Sequence, residues 1–440
     1  MTWKSARGEP VATPPSAAPA ANGAIQTSAI IRKALESARD LLDMDVAFLG
    51  QLTEDQEIFR VVVGDGPLVG VIEGGATARS DTYCDAMISG RIGRVVPDST
   101  AEPELANLPI TKSGQIGRYV GVPVHLPGGA LYGVLCGIGR GADYSLGARD
   151  ARFLEFLVAV VQAELGREQE SSDRQRMLEE RVRQLLQSDQ MTMVFQPIVR
   201  LSDGVVLGFE ALARIHAAPH RPPDAWFAEA LEAGLGAELE MAAISAGLNA
   251  LDRVPGSAYL SLNVSAATAC AAQVPQALTA VDTSRVVLEI TEHATVVNYE
   301  DLAANLAPLR KRGVRLAVDD AGSGVAGFDH ILKLAPEIIK LDIGLTRSID
   351  TSPTRRAMAT ALVSFGAATG AVIVAEGVET VAELDTLRRL GVGYGQGYLL
   401  GRPGPLPTGG VQISPGEPAP KKLSPSYSAA DHRVATGPRI

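Results

Sequence analysis

Six short segments of apolar, β-branched character recur between residues 209 and 376, and each carries a polar residue at or near an end. They read Phe209-Glu-Ala-Leu-Ala-Arg214, Tyr259-Leu-Ser-Leu-Asn263, Val286-Val-Leu-Glu-Ile290, Val314-Arg-Leu-Ala-Val-Asp-Asp320, Ile338-Ile-Lys-Leu-Asp342 and Val372-Ile-Val-Ala-Glu376. Continuous apolar runs of this length suit strands buried on both faces, and amphipathic helical stretches such as Leu302 to Arg312 and Val381 to Leu390 fall between them. The alternation predicts a (βα) barrel. In such a barrel the strand ends converge on one mouth. Glu210, Asn263, Glu289, Asp319, Lys340, Glu376 and Gln396 are therefore expected to meet there, although almost two hundred positions separate the first from the last.

Upstream, the pattern predicts a smaller α/β unit: a helix over Ile30 to Leu42, strands near Val46 to Leu52 and Phe59 to Val63, then Tyr119 to Pro127 and Ala130 to Ile138 around a Gly-Gly turn. Between the two units, residues 167–190 are highly charged and lack proline, which predicts a linker helix continuing from Ala151 to Leu165. Leu178, Val182 and Leu185 step by four and then three. That stripe suits either a short parallel coiled coil or a solvated amphipathic helix. The expected organisation is a lead over 1–25, a sensor unit over 26–166, the linker over 167–188, the barrel over 189–408 and a tail over 409–440, with the Ala/Pro-rich lead and the Pro/Ser/Lys-rich tail disordered.

The 440 residues are 46% hydrophobic, enough to bury sizeable cores, and the formal charge of −10 disfavours a broad nucleic-acid-binding face. Three cysteines without metal-type spacing (Cys84, Cys136 and Cys270) suit a reduced cytoplasmic setting, and no signal peptide is evident. The longest uncharged window, Ala357 to Ala375, has the length of a membrane span. Ser364, Gly366, Thr369 and Gly370 make a helix, loop and strand the better reading, so no membrane span is expected.

Chemically, Glu210, Asn263, Glu289, Asp319, Asp320 and Glu376 offer five carboxylates and one amide oxygen, the hard donors that Mg²⁺ or Mn²⁺ prefers. So many carboxylates at one mouth repel one another unless cations neutralise them. The adjacent pair Asp319 and Asp320 can serve two ions, and two metals form the usual clamp for phosphodiester displacement. Glu292, just beyond the third segment, reads as a group supporting a loop. His216, His293 and His330 read as incidental.

The motifs Phe195-Gln-Pro-Ile198, Glu210-Ala-Leu-Ala-Arg214, Leu262-Asn-Val-Ser265, Glu289-Ile-Thr-Glu292, Val318-Asp-Asp320, Ile339-Lys-Leu-Asp342, Ala375-Glu-Gly-Val-Glu379 and Gln396-Gly-Tyr398 resemble the EAL family of cyclic di-GMP phosphodiesterases across the whole second unit. The resemblance implies a TIM-like barrel with its first strand reversed, hydrolysis to linear pGpG, and two Mg²⁺ or Mn²⁺ ions per site. It implies that Glu210, Asn263, Glu289 and Asp319 hold one metal and Asp319, Asp320 and Glu376 the other. Lys340 and Gln396 then position the attacking water, with Glu376 as an alternative base, while Gln196, Leu212 and Arg214 contact the substrate.

One stretch departs from the family pattern. Asp319-Asp-Ala-Gly-Ser-Gly-Val-Ala-Gly-Phe328 keeps both aspartates, Gly322, Ser323 and Gly324, the residues expected to support the loop, but lacks the aromatic ring usual after the aspartates. In the first unit, Thr82-Tyr-Cys84, Val95-Val-Pro-Asp98, Tyr119-Val-Gly-Val-Pro-Val124 and Leu131-Tyr-Gly-Val-Leu-Cys136 resemble the GAF family, which implies a small ligand of unknown identity. Cys84 reads either as packing or as a functional thiol. The fold expected is thus a GAF-type α/β sensor domain joined by a helical linker to an EAL-type barrel. The function expected is a regulated hydrolase or, alternatively, a non-catalytic cyclic di-GMP receptor. The linker and the family imply a homodimer.

Overall fold

A computed structural model describes residues 29–291, 299–321 and 331–407, which form two compact units dividing at Arg174/Gln175. The first unit is built on an antiparallel sheet of β1 (Val46–Leu52), β2 (Gln56–Gly64), β3 (Ala76–Ala78), β4 (Val95–Val96), β5 (Ile116–His125) and β6 (Leu131–Arg140), in the order β3-β2-β1-β6-β5-β4. The period-two alternation of strands divides its side chains between two cores. Ala47, Leu49, Val61, Val122 and Leu135 pack with Ile31 and Leu35 of the helix Ala29–Leu41 and with Leu154 and Val161 of the long helix Ala148–Leu186. Val46, Phe48, Phe59, Tyr119 and Cys136 pack on the other side with Tyr83, Cys84 and Leu105. Cys84 is not a lone cysteine: its Sγ lies 3.6 Å from Cys136 Sγ, and both are buried.

The second unit is a closed eight-stranded barrel. Its strands are β7 (Met191–Arg200), β8 (Val206–Ile215), β9 (Tyr259–Val264), β10 (Val286–Thr291), β11 (Arg315–Ala321), β12 (Ile338–Leu341), β13 (Val372–Ala375) and β14 (Tyr394–Gly395). Strand β7 runs antiparallel to both neighbours, β8 and β14, and every other pair is parallel. The barrel therefore has its first strand reversed.

Alternation along these strands sorts residues into layers. Outward side chains such as Leu260, Leu262, Leu288, Leu316 and Ile339 join the helices in the large outer core. Inward ones begin with an apolar floor of Ile198, Tyr259, Val287, Ala317, Ile338 and Val374. Two residues further along, the same face of β9 to β13 presents Ser261, Glu289, Asp319, Lys340 and Glu376. The polar layer thus sits one pleat above a dry floor.

Several expectations are corrected in detail. The stripe Leu178, Val182 and Leu185 is neither a coiled-coil seam nor solvated, because these residues pack with Ile215, Trp226, Ala230 and Leu239 of their own unit. Burying a Leu or Val fully is worth about 2 kcal/mol, so three such residues anchor the helix end firmly. Glu210 lies in the middle of β8 rather than at its end, because the β7/β8 hairpin continues to the pair Met191 and Ile215. The uncharged window resolves into the helix Pro353–Thr369, a left-handed Gly370 that ends it, and β13. Among the described residues no helix is long and apolar enough to cross a membrane. Glu292, Gly322, Ser323 and Gly324, together with His293 and His330, lie outside the described residues.

Candidate active site

The barrel mouth is organised around Lys340. Its side chain is 1% exposed, and Nζ lies 2.6 Å from Glu376 Oε1, 2.9 Å from Glu289 Oε2, 3.2 Å from Asp319 Oδ1 and 3.5 Å from Glu210 Oε2. Four carboxylates of the polar layer thus surround one ammonium. Burial would lower the Lys340 pKa, but Asp319, Glu210, Glu289 and Glu376 outweigh it and hold the amine well above its ordinary value.

The carboxylates do not all remain ionised against a single counter-charge. Burial, with the nearby Glu210 and Asp319 carboxylates, pushes Glu289 up to about 8 in spite of Lys340. Burial and the Asp319 and Glu210 charges likewise raise Glu376 well above the usual range. Glu210 goes the other way: burial opposes its ionisation, but Lys340 and hydrogen bonds from Gln396 and Asn263 pull its pKa below the ordinary value. The mouth therefore carries more acid than its own lysine neutralises.

Amide and hydroxyl groups fix the rest of the arrangement. Gln396 Nε2 donates to Glu210 Oε2 at 2.6 Å and to Gln196 Oε1 at 2.9 Å, and Gln196 Nε2 donates to the Gly401 carbonyl at 3.1 Å. Asn263 Nδ2 donates to Glu210 Oε1 at 3.0 Å. Gln396 reaches this position because Gly397 follows it, where a Cβ would stand 2.2 Å from the Val378 nitrogen. The buried Ser261 hydroxyl donates to Glu289 Oε1. Sequence reasoning missed Ser261, although its place two residues before Asn263 on the same strand face was a legible signal.

Adjacent aspartates on a regular strand point to opposite faces, yet Asp319, Asp320 and Glu376 each offer an oxygen within 4.8 Å of the others. Two irregularities produce this. The β11/β12 register shifts between Val318 and Ala321, and Asp320 adopts φ 56°, in the left-handed region that non-glycine residues seldom occupy. The Asp320 amide then donates to Asp319 Oδ1 at 3.0 Å. The donor set here is all hard oxygen, which fits a divalent Mg²⁺ or Mn²⁺ ion, and the surplus acid around Lys340 fits further positive charge.

Leu212 and Arg214 do not join this cluster. Following Glu210 at two-residue steps, they line an adjoining cleft of about 1290 Å³ together with Phe227, Leu231 and Asn263. Arg214 Nη1 donates to the Ala213 carbonyl at 2.8 Å. His216 hydrogen-bonds Thr192 Oγ1 at 3.0 Å, away from the mouth.

A family model for the EAL domain matches residues 179–403. The cyclic di-GMP phosphodiesterase NbdA of Pseudomonas aeruginosa is 30% identical over 243 residues, covering 52% of this chain and 31% of NbdA. The probable cyclic di-GMP phosphodiesterase PdeA of Escherichia coli is 39% identical over 121 residues, covering 28% of this chain and 17% of PdeA. The chain thus spans about a third or less of the length of these curated relatives. Among solved structures, the EAL enzyme Bd1971 in its cAMP- and cyclic-di-GMP-bound form matches with a TM-score of 0.51 and 18% identity over 82% of this chain and 91% of that one, a likeness of fold. With just over half of its residues matched by the family model, and with the reversed-strand barrel and carboxylate mouth in place, the chain belongs to the EAL-domain family.

Proposed function

We propose that this chain is a metal-dependent phosphodiesterase that hydrolyses cyclic di-GMP to linear pGpG, with its first unit serving as a GAF-type sensor for a small ligand. The observation that carries the proposal is the ring of four carboxylates from four strands around the Lys340 ammonium, beside a cleft large enough for a dinucleotide. The family and the named activities of NbdA and PdeA support the choice of substrate.

Glu210, Asn263, Glu289 and Asp319 would hold one Mg²⁺ or Mn²⁺ ion, and Asp319, Asp320 and Glu376 a second. When bound, such ions stabilise negative charge on the phosphoryl group and make water more acidic. The chain's own groups do the remaining work. Once the carboxylates are neutralised from elsewhere, Lys340 is released as a buried donor beside the reacting phosphate, where a preorganised charge is strongest. Gln396, held by Gln196 and Glu210, orients the attacking water. Glu376 serves as a ligand or as the acceptor of that water's proton. In the cleft, the planar fork of Arg214 suits a phosphate or a guanine edge, and Leu212 offers apolar contact.

Incubating the protein with cyclic di-GMP and Mg²⁺ or Mn²⁺ and separating the products tests this. Linear pGpG is expected, with its formation abolished by EDTA and restored by added metal. Substrate that binds yet survives with either metal favours the receptor reading, which the unusual sequence Ala321 to Phe328 would then explain. The proposed homodimer is checked by light scattering at micromolar concentration, where a monomer mass with and without substrate contradicts it.

A further inference from the structure

The wall of the cleft is held from behind. The helix Pro223–Glu232 turns Pro223, Asp224, Phe227, Ala228 and Leu231 toward the cleft and buries Trp226, Glu229 and Ala230 on its other side, as helical spacing requires. Glu229 is a buried carboxylate, 6% exposed, gripped by two guanidinium groups. Arg181 Nη1 donates to its Oε1 at 2.8 Å, and Arg221 pairs with its other oxygen while stacking 4.3 Å above the Trp226 ring. Arg181 belongs to the helix Ala148–Leu186, whose Leu178, Val182 and Leu185 share a core with Trp226 and Ala230.

We infer that Glu229 is a positioning residue for the ligand cleft, and that Arg181, on the helix leading into the barrel, sets the stance of the cleft wall through it. The inference rests on the functional reading above for the identity of the ligand. The chemistry follows from the geometry. Arg221 alone balances the charge of Glu229, but without Arg181 the buried Oε1 has no hydrogen-bond donor, and an unsatisfied buried acceptor is costly, so Glu229 must follow Arg181. The helix packs as a rigid body, so a shift on its buried side moves Phe227 and Leu231 on the cleft side. None of these groups touches the four carboxylates around Lys340. The effect should therefore fall on ligand affinity rather than on the chemical step.

The test uses the full chain with Arg181→Ala and Arg181→Lys. For Arg181→Ala, KM for cyclic di-GMP is expected to rise about five- to tenfold, within the usual range of coupling between sites, while kcat stays near wild type. Arg181→Lys, which keeps the charge, should restore most of the affinity. Amide exchange over 223–232 should accelerate in Arg181→Ala with the barrel strands unchanged. An unchanged KM in Arg181→Ala, or a kcat that falls as much as affinity does, overturns the inference. Wild-type protein that neither binds nor turns over cyclic di-GMP overturns the functional reading instead, and unchanged exchange over 223–232 then removes the inference as well.

Discussion

Lys340 is the residue on which the mouth depends. Replacing it with methionine leaves four facing carboxylates without their cation, so Lys340→Met should lose about 3 kcal/mol of stability in metal-free buffer, measured by urea unfolding. Unchanged stability would mean that the ion pairs contribute nothing. Glu289 sets a pH dependence with a definite sign. It titrates near 8 in the folded chain, against about 4.3 when unfolded, so between those values the folded state holds the extra proton. The stability this contributes is fully present below the unfolded value and is lost as pH rises through 8. Metal-free protein should accordingly melt lower at pH 8.5 than at pH 6, and Glu289→Gln should flatten that slope; an equal slope in the variant would assign the effect elsewhere. At this scale the sequence was informative because each acid stands beside an apolar strand residue. Asp320 was harder to place: its position depends on a bulge and a positive φ that no local pattern announces.

At the scale of elements, strand positions followed from apolar runs, and the reversal of β7 followed from the family resemblance alone, since nothing in its own sequence marks the direction in which it runs. The stripe Leu178, Val182 and Leu185 shows where periodicity stops helping. Spacing identifies a buried helix face, but not whether the partner is another chain or the same one. Here the partner is the helix Pro223–Glu232 and its neighbours. Leu185→Ala should therefore cost about 2–3 kcal/mol by urea unfolding, independent of protein concentration. A loss that grows on dilution would point to a seam between chains. Similarly, a fragment beginning at Gln175 should fold cooperatively, whereas one beginning at Gln187 lacks the stripe and should unfold at lower urea; equal midpoints would show the helix end to be dispensable.

For the molecule as a whole, the barrel explains why residues from 196 to 396 come together: its strands converge on one mouth, a dry floor lies one pleat below the polar layer, and Asn263, hydrogen-bonded to Glu210, also lines the adjoining cleft. The barrel and its acid ring were legible because parallel strands leave long apolar runs with polar ends. The cleft was not, since its walls are helices whose exposed Leu231 and half-buried Phe227 look like ordinary surface in sequence. The most direct test is a comparison of wild type and Glu210→Ala in cyclic di-GMP hydrolysis with saturating Mg²⁺ or Mn²⁺, with the product followed by chromatography. Glu210 touches Lys340, Gln396 and Asn263 at once, so its loss should lower kcat by at least about 100-fold. Turnover to pGpG by wild type and its near disappearance in the variant is the expected result. Equal turnover in the two proteins, or none in wild type with either metal, would contradict a hydrolytic centre at this mouth.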